Sequence, residues 1–91
     1  MERAPFGDND VEEISTRFMR ELNNMWETLS VPDNQKFFKF DEIYDFACTT
    51  TPPPITTFEP TNRELRNAVE GLLTRRNLIE FVNDRQIRRV S

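Results

Sequence analysis

The chain has no histidine and one cysteine, Cys48, in 91 residues. Metal sites of the usual Cys/His kind are therefore excluded, as is an internal disulfide. A lone thiol suits a reducing compartment, so an intracellular location is expected. Glycine occurs only at Gly7 and Gly71, too sparsely for a glycine-rich phosphate loop. No apolar run approaches membrane-span length, and residues 1–5 lack the apolar stretch of a signal peptide. The acidic pairs Glu12-Glu13 and Asp41-Glu42 are adjacent, diverge on a helix and cannot flank a scissile bond. With no histidine to activate it, Cys48 reads as a small packing residue rather than a nucleophile. No cofactor, metal, membrane or small-molecule substrate is implied, and an enzyme is the least supported class.

What is present suits one small domain with an aromatic core. Eight phenylalanines and one tryptophan supply large flat rings. Net charge is −4, unevenly placed: residues 1–60 carry twelve Asp/Glu against five Lys/Arg, and residues 61–91 carry seven Arg against four Asp/Glu. Overall acidity argues against broad nucleic-acid affinity, while the arginine-rich end allows a local cationic face. The plain alternative is that both are solvated faces.

Residues 1–10 form a polar lead-in, expected to be disordered, and residues 11–91 one domain. Asp10 and Glu13 suggest a capping box opening a first helix that ends near Ser30-Val31-Pro32. Its inward stripe is Val11, Ile14, Phe18, Leu22, Met25, Trp26 and Leu29. Pro32-Asp33-Asn34-Gln35 reads as a turn, and Phe37-Phe38-Lys39-Phe40 as a very short strand. Asp41 is placed as the cap of a second helix with Ile43, Tyr44, Phe46 and Ala47 near a common side. Phe37, Phe38 and Tyr44 are favoured as core over a stacking surface for single strands. Pro52-Pro53-Pro54 ends that helix, and the segment to Pro60 is an extended connector with Ile55 and Phe58 as anchors. Thr61 caps a third helix with Leu65, Ala68, Val69, Leu72 and Leu73 inward, stopped by a left-handed Asn77.

A hairpin follows. A three-residue loop, Asn83-Asp84-Arg85, sets Phe81 opposite Ile87 and Glu80 opposite Arg88. A two-residue loop would instead mix polar with apolar partners. The three-residue register is preferred.

Helix, short strand, helix, helix and two-stranded wing is an order that resembles the winged-helix superfamily, over roughly residues 11–90. The most telling stretch is Leu72-Leu73-Thr74-Arg75-Arg76-Asn77-Leu78-Ile79-Glu80-Phe81, followed by the return strand Gln86-Ile87-Arg88-Arg89-Val90. The connector at residues 49–60 is longer than the tight turn of a helix-turn-helix, which weakens a repressor-like reading. The resemblance implies a mainly α small α/β domain, with the third helix and wing as contact elements.

On that footing Arg63, Asn67, Glu70 and Thr74 face away from the apolar stripe, with Arg66 on the flank. Arg and Asn suit bidentate contacts to guanine and adenine edges. Asn62 could reach a phosphate from the helix start, and Arg85, Arg88 and Arg89 could neutralise phosphates from the wing. Glu70 opposes this, and Arg88 has Glu80 as a local partner. Arg88-Arg89-Val90-Ser91 resembles a site for basic-directed kinases, making Ser91 a phosphorylation candidate that would oppose DNA contact. Thr51-Pro52 is a weaker match. The arginines tip the balance to a double-stranded DNA contact in a nuclear replication, chromosome or transcription protein. The alternative is a protein-docking winged helix, an interaction module engaging basic segments through its acidic first helix or the connector. Homodimerisation through the first helix ranks lower, since its stripe is needed for the core.

Overall fold

The computed structural model describes residues 7–49 and 63–90. They form a mainly helical domain: α1 (Asp8–Thr28), a 3-10 turn (Asp33–Gln35), β1 (Phe38–Lys39), α2 (Phe40–Thr49), α3 (Arg63–Arg75), β2 (Ile79–Phe81) and β3 (Gln86–Arg89). The three strands make one antiparallel sheet in the order β1-β3-β2.

Helix α1 starts at Asp8, two residues ahead of the expected cap, so residues 8–10 belong to the helix and not to a disordered lead-in. Asp10 acts from inside the first turn, its carboxylate accepting the Gly7 amide at 2.8 Å. With Asp8 beside it, negative charge sits where the helix dipole favours it. Ile14, Phe18, Leu22 and Trp26, four residues apart, are all buried. The helix ends at Thr28, leaving Leu29 outside it and exposed. Lys36 closes this end: its ammonium donates to the Trp26 carbonyl at 2.8 Å, satisfying a last-turn acceptor.

Strand β1 is only Phe38–Lys39, and Phe40 opens α2, so Asp41 lies in the first turn rather than at the cap. The buried side of α2 is Ile43, Tyr44, Ala47 and Cys48, while Phe46 is exposed. At 100° per residue the first four span one arc and Phe46 falls well outside it. Phe37 is exposed too, which corrects its placement in the core; Phe38 is half-buried and Tyr44 fully buried.

Phe40 is the hub of the core. Its ring meets Phe18 at 4.8 Å, Phe81 at 5.8 Å and Tyr44 at 6.1 Å between centroids, joining α1, β2 and α2. Leu65, Val69 and Leu73 close the core from α3. That helix stops in a Schellman arrangement. Asn77 has φ 57°, its amide donates to the Thr74 carbonyl at 3.1 Å, and the Leu78 amide donates to the Leu73 carbonyl at 3.0 Å. The hairpin register is the expected one, Phe81 opposite Ile87 and Glu80 opposite Arg88. The Val82 amide donates to the Gln86 carbonyl at 2.9 Å, leaving Asn83, Asp84 and Arg85 as the loop. Phe38 pairs with Ile87 on the other edge of β3. Thr61, the expected cap of α3, and the connector anchors Ile55 and Phe58 lie outside the described residues, as does Thr51-Pro52.

Candidate nucleic-acid interface

The outward face of α3 begins with Arg63 and Asn67, both exposed as the helical projection requires. Arg63 has no carboxylate or ring partner among the described residues. Asn67 lines a groove of about 390 Å³ between α3 and the start of α1, and the facing wall carries Asp8, Val11 and Glu12. Two carboxylates therefore stand beside the α3 face that would have to approach a phosphate backbone. Thr74 is turned inward on its own helix, its hydroxyl donating to the Glu70 carbonyl at 2.9 Å.

Arg66 is not a free cation. Its Nε donates to Asp41 Oδ1 at 2.5 Å and its Nη1 to Glu70 Oε2 at 2.7 Å. The guanidinium carbon lies 4.7 Å from the Phe40 ring centroid. Burial opposes the charge, but Asp41 and then Glu70 more than offset it and hold the Arg66 pKa above its ordinary value. The side chain therefore ties α3 to the first turn of α2 and to the core ring.

The wing arginines divide. Arg88 Nε donates to Glu80 Oε1 at 2.6 Å across the hairpin. Arg89 reaches back to α1: its guanidinium lies 4.8 Å from the Trp26 ring centroid, Nη1 donates to Asn23 Oδ1 at 2.9 Å, and Glu27 Oε2 is 3.5 Å away. Arg85 stays exposed in the loop, where the Asn83 carboxamide accepts the Arg85 and Gln86 amides, each at 2.9 Å. Beyond these, Arg76 grips the Glu12 carboxylate with both terminal nitrogens. Asn62 and Ser91 lie outside the described residues.

The sequence-derived set is thus split. Arg63, Asn67 and Arg85 remain open to a partner, and Arg66, Arg88 and Arg89 are engaged within the fold. Three exposed cations were not singled out from the sequence: Arg20 on α1, Lys39 opposite Gln86, and Arg75 on the last turn of α3. Lys39 was hidden by its reading as a strand residue among phenylalanines, and Arg75 by its place inside the stretch that carries the winged-helix resemblance. Wing and α3 meet through Phe40, whose amide donates to the Arg85 carbonyl at 3.0 Å while Arg66 covers its ring.

No helix among the described residues is long and apolar enough to cross a membrane. No group of three or more Cys, Asp or Glu among them could hold a metal ion. Comparison with models of known families, with curated proteins and with solved structures finds no match to this chain.

Proposed function

We propose that the chain is a non-catalytic winged-helix module that docks onto a partner protein within a larger assembly. The element order agrees with the winged-helix resemblance, and β1 pairs with the outer edge of the hairpin to complete a small sheet. One observation carries the docking reading. Of the seven arginines after residue 60, four (Arg66, Arg76, Arg88 and Arg89) hold a carboxylate of the same chain. Breaking those pairs to bind phosphate would trade one ion pair for another at a cost to the fold. The α3 face is moreover flanked by Asp8, Glu12 and Glu70, which repel a polyanion.

A second reading is favoured by the exposure of Arg63, Asn67 and Arg85. They would make a local duplex contact, joined by Asn62, in a nuclear replication, chromosome or transcription protein. Fluorescence anisotropy with a labelled random duplex over a salt series separates the two. The exposed, unpaired cations among the described residues (Arg63, Arg75 and Arg85 with Arg20 and Lys39) support a log–log slope of about −4.5 at most, whereas adding the four paired arginines would raise it to about −8. The docking reading predicts no saturable binding at micromolar protein in 0.15 M salt. Micromolar affinity with a steep slope, lost in Arg63→Glu, would transfer the function to DNA.

A further inference from the structure

Grooves on the described surface differ in charge, and two of them mix signs. One is lined by Asp33 and Glu80 with Arg88 and Arg89, the other by Asp8 and Glu12 with Arg75. A third, between the middle of α1 and the α3–β2 turn, has no carboxylate among the described residues of its lining. Its volume is about 310 Å³, at the lower end of small-ligand clefts. Met19, Leu73 and Leu78 form an apolar floor, and Arg20 and Arg76 stand on the rim. On a chain with sixteen acids against twelve bases, such a lining is a local reversal of charge.

Ser15 supplies a second, independent observation. It lines the same groove, is 4 % exposed, and its hydroxyl has no hydrogen-bond partner among the described residues. Helical threonine hydroxyls among the described residues bond back to their own backbone: Thr16 donates to the Glu12 carbonyl at 2.9 Å and Thr28 to the Asn24 carbonyl at 3.0 Å. Ser15 does not, and a buried hydroxyl without a partner is costly. Arg20 is exposed and has no partner among the described residues. Arg76, bound to Glu12, is still half exposed.

Resting on the docking reading above, we propose that this groove receives a partner-protein segment carrying an aliphatic or aromatic side chain beside a carboxylate. The apolar group lies on Met19, Leu73 and Leu78, where the unbranched Met19 thioether adapts to its shape. The carboxylate takes the Arg20 guanidinium, and the Ser15 hydroxyl donates to it. This reverses the basic partner expected from the acidic first helix. Beyond a Debye length of about 8 Å net charge is largely screened, so the local lining decides.

The test is an NMR titration of the full chain, isotope-labelled in methyl and amide groups, with phenylacetate, which places a carboxylate one carbon from a ring. Benzylamine, the same ring with a cation, is the control. The expected result is saturable shifts of the Met19, Leu73 and Leu78 methyls and the Ser15 amide with phenylacetate and none with benzylamine. Arg20→Glu should weaken that binding about tenfold or more, which corresponds to the ~1.4 kcal/mol of a decade in affinity. Ser15→Ala should weaken it less while keeping the fold. Absence of saturable shifts, equal response to benzylamine, or an unchanged affinity in Arg20→Glu overturns the proposal. A groove that fails this test while duplex DNA is ignored removes the groove alone. Steep salt-dependent duplex binding removes the docking reading itself.

Discussion

Replacing Arg66 by Met keeps an apolar stem near Phe40 but deletes the guanidinium. The side chain is 26 % exposed, with Asp41 at 68 % and Glu70 at 34 %. Pairs this open to water are worth about 0.5–1 kcal/mol each, because solvent and salt screen them. The contact with the Phe40 ring adds about 0.5–1 kcal/mol. The terms share one group and are not independent, so about 2 kcal/mol is expected in total. For a domain of this size that lowers Tm by about 10 °C. Circular dichroism melts in 0.1 M and 1 M NaCl measure it, and the gap should narrow in high salt as the ion pairs are screened. An Asp41→Asn, Arg66→Met double-mutant cycle should return a coupling of about 0.5–1 kcal/mol. A Tm within about 2 °C of the parent would mean that Arg66 does no structural work, restoring it as a candidate for phosphate.

Two further outcomes follow from single positions. Asn77 occupies the left-handed region at φ 57°. Asn77→Ala should therefore cost about 1 kcal/mol in urea unfolding and Asn77→Gly should cost nothing; equal losses would contradict the left-handed stop. Burial pushes the Cys48 thiol above its ordinary 9.0, and burial, with Cys48 adding, pushes the Tyr44 hydroxyl above its ordinary 10.0. The folded state then holds both protons more tightly than the unfolded state. Their contribution to stability is complete below about pH 9 and is lost as pH rises through the folded values. Urea midpoints between pH 7 and 10.5 should fall at the alkaline end, and a thiol reagent at pH 8 should label Cys48 only on unfolding. A flat profile with rapid native labelling would refute both.

What was legible in the sequence were features carried by one element or by neighbours in the chain. The stripe of α1 repeats every three or four residues. The hairpin register follows from pairing Phe81 with Ile87 and Glu80 with Arg88, and Asn77 sits where the helical pattern turns into a strand. Phe46 was misplaced because six apolar residues in a ten-residue helix leave the arc ambiguous, and Cys48 took the inward position. Asp10 and Asp41 were misread as caps since a carboxylate serves equally from within the first turn. The candidate site was harder to read. A projection of α3 sets Arg66 on the flank but does not show Asp41, 25 residues earlier, arriving beneath it. Nor does a hairpin pattern show Arg89 folding onto Trp26. Ser15 and Arg20 gave no sequence signal, because their groove exists only once α1 meets the α3–β2 turn.

Four of the seven arginines after residue 60 hold the fold together instead of reaching outward. Nitrogen–proton correlation spectra of the arginine Nε–H groups test it most directly. Arg66 and Arg88, whose Nε atoms donate to Asp41 and Glu80, should give dispersed, slowly exchanging signals that stay in place when a duplex is added. Arg63, Arg75 and Arg85 should give the averaged signals of free side chains. Averaged signals from Arg66 and Arg88 that move on adding DNA would contradict the account.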